Sequence, residues 1–226
     1  MAKINKNDFI EIEFTGKLKD TGEIFDTNKK KDAKKLGKEP KPYIMAVGHG
    51  MLIKGLDDEL IGKETGKEYT SEFPPEKAFG KRRKEMVKMI PMRAFQEQNI
   101  MPRRGMQLSL DGQLVRILSA SGGRVLVDFN NPLAGKDVIY EYKINKKIDD
   151  LNEKINALQD FFFRKQFDFN VKDKTIEFYI PEKQKQLQQF VKLMEKGFKD
   201  ILGMNVEVKP EKSKQEPENK NNTQPQ

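Results

Sequence analysis

Two segments of the chain alternate apolar and polar residues strongly, and they lie far apart. DFIEIEFTGKL at residues 8–18 brings Phe9, Ile12 and Phe14 forward, and Val138-Ile-Tyr140-Glu-Tyr142-Lys-Ile144 repeats the pattern well downstream. A period of two puts alternate side chains on one face of an extended backbone, so each segment reads as a strand with a buried face. The second is strong enough to belong in the middle of the sheet that the first begins. The chain between them must therefore leave that sheet and return to it. Before it leaves, Asp20-Thr-Gly22 turns into a strand at Ile24-Phe25, and Tyr43 to Val47 forms another strand. Leu52, Ile53, Leu56, Leu60 and Ile61 then recur at helical spacing, which predicts a short helix over 52–61. Glu68 to Phe73 is a further strand, stopped by Pro74-Pro75 because proline removes ladder donors and restricts the residue before it.

At Lys81 the character changes. The run KRRKEMVKMI is basic, and five of the ten methionines fall at positions 86, 89, 92, 101 and 106, which marks a different module. Short strands are expected at Met106–Leu110, Leu114–Leu118 and Val125–Val127, joined by the hairpin signals Asp111-Gly112 and Ser121-Gly122-Gly123, with a short helix over Pro91–Gln98. The domain reading is a first domain split into 1–83 and 129–147, an inserted small β-rich domain at 84–128, and a C-terminal domain at 148–209. In that last part Ile148, Leu151, Ile155, Leu158 and Phe162 form a narrow helical seam, and Phe167–Val171 faces Ile176–Ile180 as a hairpin. Pro181 opens a helix through Leu187, Phe190, Val191, Met194, Phe198 and Ile201, Gly203 caps it, and Val206–Val208 closes an α-β-β-α-β order. Residues 210–226 are almost wholly Pro, Glu, Lys, Asn and Gln, a composition that predicts disorder. The fold class is α+β.

Composition removes most chemistries. With no cysteine there is no disulfide scaffold, thiol nucleophile or thiolate metal site, and a reducing cytoplasm is the expected location. His49 is the only histidine, too little for a zinc site or a plausible triad. Gly62-Lys-Glu-Thr-Gly66-Lys67 is one residue short of a phosphate loop and has Glu68 at the hydroxyl position, so no nucleotide is expected. No cofactor, no metal and no membrane span are anticipated. The net charge of +8 is concentrated: seven lysines against Asp32 and Glu39 make residues 28–41 +5, and eight basic residues against Glu85 and Glu97 make 81–104 +6. Such patches suit acidic partners or simply a solvated surface.

The first domain also offers aromatic and aliphatic residues at element ends. Phe14-Thr-Gly16, Phe25-Asp26, Val47-Gly48-x-Gly50-x-x-Ile53-x-Gly55-Leu56-Asp57, Pro74-Pro75-Glu76-x-Ala78-Phe79-Gly80 and Asn130-x-Pro132-Leu-Ala-Gly135-Lys follow one another in order. This succession resembles the FKBP-type peptidyl-prolyl isomerases over residues of about 6–80 and 129–145, and is closest to their SlyD-like branch, which carries a chaperone domain inserted in the flap. The C-terminal extension resembles that of long archaeal members. The resemblance implies an FKBP-like antiparallel sheet wrapped on a short helix.

It further implies a cleft in which Asp26, Phe14, Phe79 and Tyr140 are catalytic and Phe25, Tyr43, Leu52, Ile53, Leu56, Pro132 and Leu133 hold substrate, Leu52 and Ile53 through the backbone. Phe14 and Phe79 stand where many members have tyrosine, and Leu56 where many have tryptophan. Taken without the family, Asp26 is a plain turn residue after a strand. Implied partners are unfolded or proline-containing polypeptides, and the cleft becomes a candidate for macrolide inhibitors. Methionine adapts to irregular apolar partners, so Met86, Met89, Met92, Phe95, Met101 and Met106 are candidates for a chaperone surface, or for the core of the insert. The C-terminal seam fits a homodimer interface or the packing of the next hairpin. A non-catalytic peptide-binding module and, more distantly, a nucleic-acid-binding protein are the competing readings.

Overall fold

The computed structural model describes residues 2–37 and 39–210, so the tail expected to be disordered lies outside the described residues, Pro210 excepted. The chain divides into two units, Met1–Ile148 and Asp149–Gln226.

In the first unit the elements begin with β1 (Phe9–Leu18), β2 (Ile24–Thr27), α1 (Lys30–Ala33), β3 (Tyr43–Ala46), α2 (Lys54–Leu60) and β4 (Glu68–Phe73). They continue with β5 (Val87–Pro91), α3 (Met92–Gln96), β6 (Gln107–Leu110), β7 (Gln113–Ser121), β8 (Arg124–Asp128) and β9 (Val138–Lys147). The larger sheet runs β2-β1-β9-β4, with β3 pairing the first half of β1 on the same side as β2, and every pair is antiparallel. The two strongly alternating segments are thus neighbours: Phe14 stands opposite Tyr142 and Gly16 opposite Tyr140. Their inward side chains, Ile10, Ile12, Tyr142 and Ile144 among them, are almost wholly buried. Helix α2 covers this face through Gly55, Leu56 and Leu60. Gly55 is required for the close approach, since a Cβ there would come within 2.5 Å of the Phe73 ring.

The helix predicted over 52–61 starts only at Lys54. Ile53 before it is extended (φ −55°, ψ 143°), and Met51 and Leu52 form a bend in which Met51 O accepts from the Tyr43 hydroxyl on β3.

Strands β5 to β8 make a separate antiparallel sheet, ordered β5-β8-β7-β6. Asp111 and Gly112 both adopt positive φ (50° and 76°), the mirror-image turn that matches the twist of a two-residue hairpin. Strand β5 has no counterpart in the sequence reading, which took this basic stretch only as the start of a new module. It becomes a strand by pairing with β8, an example of neighbours overriding propensity. The core of this sheet is small: Phe95, Val115, Ile117, Val125 and Val127.

The second unit comprises α4 (Leu151–Phe163), β10 (Phe169–Lys172), β11 (Thr175–Ile180), α5 (Lys185–Leu193), α6 (Glu195–Leu202) and β12 (Asn205–Pro210). Asp150 caps α4 by accepting from the Glu153 N–H at 2.8 Å. Strand β11 pairs antiparallel with β10 and parallel with β12, the helical pair providing the crossover that parallel strands need. Two expectations are corrected. Pro181 does not open the helix; Gln184 N bonds back to Pro181 O at 3.0 Å, and α5 starts at Lys185. The single helix through Ile201 breaks at Met194 (φ −84°, ψ −1°), and the turn there lets α6 bury Phe198 while Gly197 lies against the Phe162 ring.

Among the described residues no helix is long and apolar enough to cross a membrane.

Candidate functional site

Strand register brings the aromatic residues of the first unit together. Phe14 on β1 meets Tyr43 on β3 edge-on at 5.8 Å and Tyr140 on β9 at 5.9 Å. Phe25 on β2 packs edge-on against both Phe79 (5.5 Å) and Tyr140 (5.8 Å). Rings at these separations attract through edge and face charge as well as burial. Phe73 joins the group at 6.2 Å from Tyr140, a member that sequence reasoning missed because it looked only like the last residue of a strand. Gly16, present in the sequence motif without a role of its own, gains one here. A Cβ at Gly16 would stand 2.7 Å from the Phe25 ring and 3.1 Å from that of Tyr140, so only glycine lets the two rings sit where they do.

Asp26 is half-buried beside Tyr140, and its Oδ1 accepts the Thr27 N–H at 3.0 Å. Burial pushes the Tyr140 phenol well above its ordinary range, and the Asp26 carboxylate and Tyr43 push it further the same way. Tyr140 is therefore a neutral hydrogen-bond donor at every physiological pH. Leu56, expected from the resemblance to hold substrate, is fully buried on α2 and belongs to the core, since a side chain with no exposed surface cannot touch a bound chain.

The bend that carries Leu52 and Ile53 is held from both sides. The Tyr43 hydroxyl donates to Met51 O at 2.7 Å, and Ala46 N donates to the Met51 sulfur at 3.2 Å. From beneath, the buried Asp57 carboxylate accepts Gly48 N–H at 2.8 Å on one oxygen and Gly50 N–H at 2.7 Å on the other. A buried carboxylate that takes two backbone donors fixes the loop through two charge-assisted hydrogen bonds. The motif that contains Asp57 does not disclose this part, because the pairing needs the fold to bring residues 48–50 over the helix. Leu52 and Ile53 are themselves half-buried.

Pro132 and Leu133 are placed differently. Leu133 is half-buried in a loop whose Asn131 Oδ1 accepts the Leu133 N–H at 2.8 Å. Pro132 lines a cavity of about 120 Å3 together with Arg82, Leu114, Arg116 and Asn130, where the two chain crossings to the smaller sheet run side by side. These crossings are bonded together: Asn130 Oδ1 accepts Arg83 N–H and its Nδ2 donates to Arg83 O, both at 2.9 Å, while Arg82 reaches Asp128 at 2.6 Å.

In the smaller sheet Met101 and Met89 are widely exposed, at 80% and 59%, and Met106 is exposed as well. Met86 and Met92 are half-buried. Phe95, grouped with them from sequence, is 3% exposed and is the ring about which the valines and Ile117 pack, so it belongs to the core and not to the surface. Ile90, Phe95, Leu110 and Phe129 line a cavity of about 200 Å3 together with the polar Gln98, Ser109 and Asp111. Among the described residues no group of three or more His, Cys, Asp or Glu side chains is arranged to hold a metal ion.

Comparison with known proteins bears on this arrangement. Residues 1–96 match the family described as FKBP-type peptidyl-prolyl cis-trans isomerase, and residues 88–133 match one described as FKBP26, IF domain. The short-type peptidyl-prolyl cis-trans isomerase of Methanocaldococcus jannaschii is 32% identical over 146 residues, 62% of this chain and 92% of that protein. The FKBP-type peptidyl-prolyl cis-trans isomerase SlyD of Treponema pallidum is 29% identical over 160 residues, 69% of this chain and 85% of the relative. The crystal structure of the three FKBP domains of wheat FKBP73 shares 17% identity and a TM-score of 0.37, covering 66% of this chain and 42% of that one. On the sequence relatives, the chain belongs to the FKBP-type peptidyl-prolyl cis-trans isomerases and is an enzyme of that activity.

Proposed function

We propose that the ring cluster of the first unit is the isomerase cleft, with Asp26, Phe14, Phe79 and Tyr140 acting on the prolyl bond and Phe25, Tyr43, Leu52, Ile53, Pro132 and Leu133 binding the chain around it, while the buried Leu56 serves only as core. The observation that carries this is the convergence of Phe14, Phe25, Phe79 and Tyr140 from three strands and a loop, beside one acid. Resonance gives the prolyl C–N bond its barrier of about 18–20 kcal/mol, and the twisted state gives that resonance up together with much of its charge separation. An apolar wall that strips water from the imide favours the twisted state over the planar one, so catalysis is differential binding without a covalent step. The neutral Tyr140 hydroxyl can donate to a substrate carbonyl, and Asp26 either orients a backbone donor or acts on the carbonyl carbon through its charge. Backbone groups of residues 52–53 would position the chain, with Met51 beside them held by Tyr43 and Gly48 and Gly50 held by Asp57.

The insert at 84–128 is proposed to be a SlyD-like insert-in-flap domain that holds unfolded chains near the cleft, in a long form of the family with a C-terminal domain at 148–209. Exposed Met89, Met101 and Leu114 support it. A reducing cytoplasm and homodimerisation through the C-terminal unit, where Leu193 is 71% exposed, complete the proposal. The test is refolding of a protein limited by prolyl isomerisation, a phase of roughly 10–100 s at 25 °C without catalyst. The full chain should accelerate it; Asp26→Ala should slow both this and turnover of a short Xaa-Pro peptide, and removal of 85–127 should slow refolding alone. Equal losses on both substrates would remove the holding role from the insert. Sedimentation of the full chain as a monomer would remove the dimer.

A further inference from the structure

The lysine-rich stretch between β2 and β3 borders the cleft, and its attachment there is specific. Asn28 at its start accepts the Phe14 N–H at 2.7 Å through Oδ1, while its Nδ2 donates to Ile12 O at 2.8 Å and to Lys41 O at 3.4 Å. One side chain thus ties both ends of the stretch to the part of β1 that carries Phe14. Thr27 adds to this, donating to Phe14 O at 2.9 Å and accepting the Lys29 N–H at 3.1 Å. At the far end the chain enters Tyr43, itself a member of the ring cluster. Ala33 is fully buried and turns the inner side of α1 to the protein, which leaves Lys30, Lys31 and Lys34 exposed, as is Lys41. Asp32 and Glu39 are the only acids among seven lysines.

We infer that this loop is a charged rim that selects polypeptide substrates in which the prolyl bond is flanked by acidic residues. The inference rests on the cleft reading and adds a substrate class to it. A cluster of like charges beside an apolar, low-dielectric wall concentrates oppositely charged segments and raises their encounter rate. A nucleic acid is the weaker fit, since residues 29–41 contain no aromatic side chain on which a base could stack.

The experiment uses the full chain and three peptides sharing one Xaa-Pro bond, flanked by Glu, Gln or Lys. At low ionic strength kcat/KM for the Glu peptide should exceed that for the Lys peptide about fivefold, the scale of a few exposed charges acting over several ångströms of water. The difference should vanish near 1 M salt, where screening acts over roughly 3 Å. Charge reversal by K30E, K31E and K34E together should invert the order while leaving the Gln peptide within twofold, which also shows that the variant folds. Equal rates for all three peptides, or an order unchanged in the variant, overturns the rim. Failure of the wild-type chain to turn over even the Gln peptide overturns the cleft reading and the rim with it. Loss of activity to a single-stranded RNA, relieved in the variant and without any preference among peptides, would give the loop to nucleic acid and likewise overturn the proposal.

Discussion

The larger and the smaller sheet of the first unit meet the same physical demand in opposite ways. The larger sheet is covered by α2 and by its own inserted loops, and Ile4, Ile10, Ile12, Leu56, Leu60 and Ile144 are fully buried. Its site residues are fixed by partners: Asp57 under the 48–53 bend, Gly16 between two rings, Asn28 on β1. The smaller sheet has five buried apolar residues and leaves Met89, Met101, Met106 and Leu114 in solvent. A module of roughly 45 residues draws only a few kcal/mol from such a core, so every apolar group left outside is stability forgone. A cleft for one chemical step must be rigid to within fractions of an ångström, whereas a surface for varied chains needs soft, accessible apolar groups.

The sharpest way to break this comparison is Phe95→Ala. Removing the central ring should cost about 3–5 kcal/mol, comparable to all the stability the small module has. Amide exchange should show protection lost over 87–128 and kept in β1 and β9, with turnover of a short peptide retained. If the cleft fails together with the insert, the two sheets are one cooperative structure and the contrast collapses.

Asp57→Ala comes next. Losing the two charge-assisted hydrogen bonds to Gly48 and Gly50 should cost about 2 kcal/mol, and loosening the loop should lower peptide kcat/KM roughly tenfold without changing the fold seen by circular dichroism. An unchanged rate would mean that the bend does not position substrate.

A smaller effect should come from pH. Glu59 on α2 is pushed up by burial, but hydrogen bonds from Ser71, Lys63 and Tyr142 outweigh that and hold it below the ordinary carboxylate range. A lowered folded-state pKa stabilises above the unfolded value of about 4.3, and that contribution is lost as the pH falls through the folded value. Unfolding at pH 3 and 6 should therefore differ less in Glu59→Gln than in the parent, and an identical difference would refute the assignment. The least change in stability, within about 0.5 kcal/mol, is expected for Met101→Ser, which should nonetheless weaken capture of an unfolded chain measured by suppression of its aggregation.

Much of the architecture could be read before any coordinates. Strands β1 and β9 announce themselves by period two, β4 by the Pro74-Pro75 that stops it, Asp111-Gly112 by its turn chemistry, and Gly203 by its place after an apolar helix. The early end of α2's predicted range, the helix break at Met194 and strand β5 were not legible, because each depends on a partner distant in sequence. The chain bends at Met51 because Tyr43 on β3 takes its carbonyl, Met194 breaks its helix so that Phe198 can be buried, and Val87–Pro91 is extended because β8 pairs with it. The site divides in the same way. Its aromatic residues were visible in order along the chain through the family resemblance, while Phe73, Gly16 and Asp57 gained their places only through tertiary contact.

What the sequence by itself determined is the local and the periodic: which stretches are extended, where they turn, which chemistries its composition forbids, and where its charge lies. What only the tertiary structure decided is which rings meet and what holds the bend beside them. Register places Gly16 opposite Tyr140, and one residue of slip would turn every ring on β9 to the other face. Periodicity states that a residue faces inward, but the neighbour that it finds there is set by all the strands packing at once.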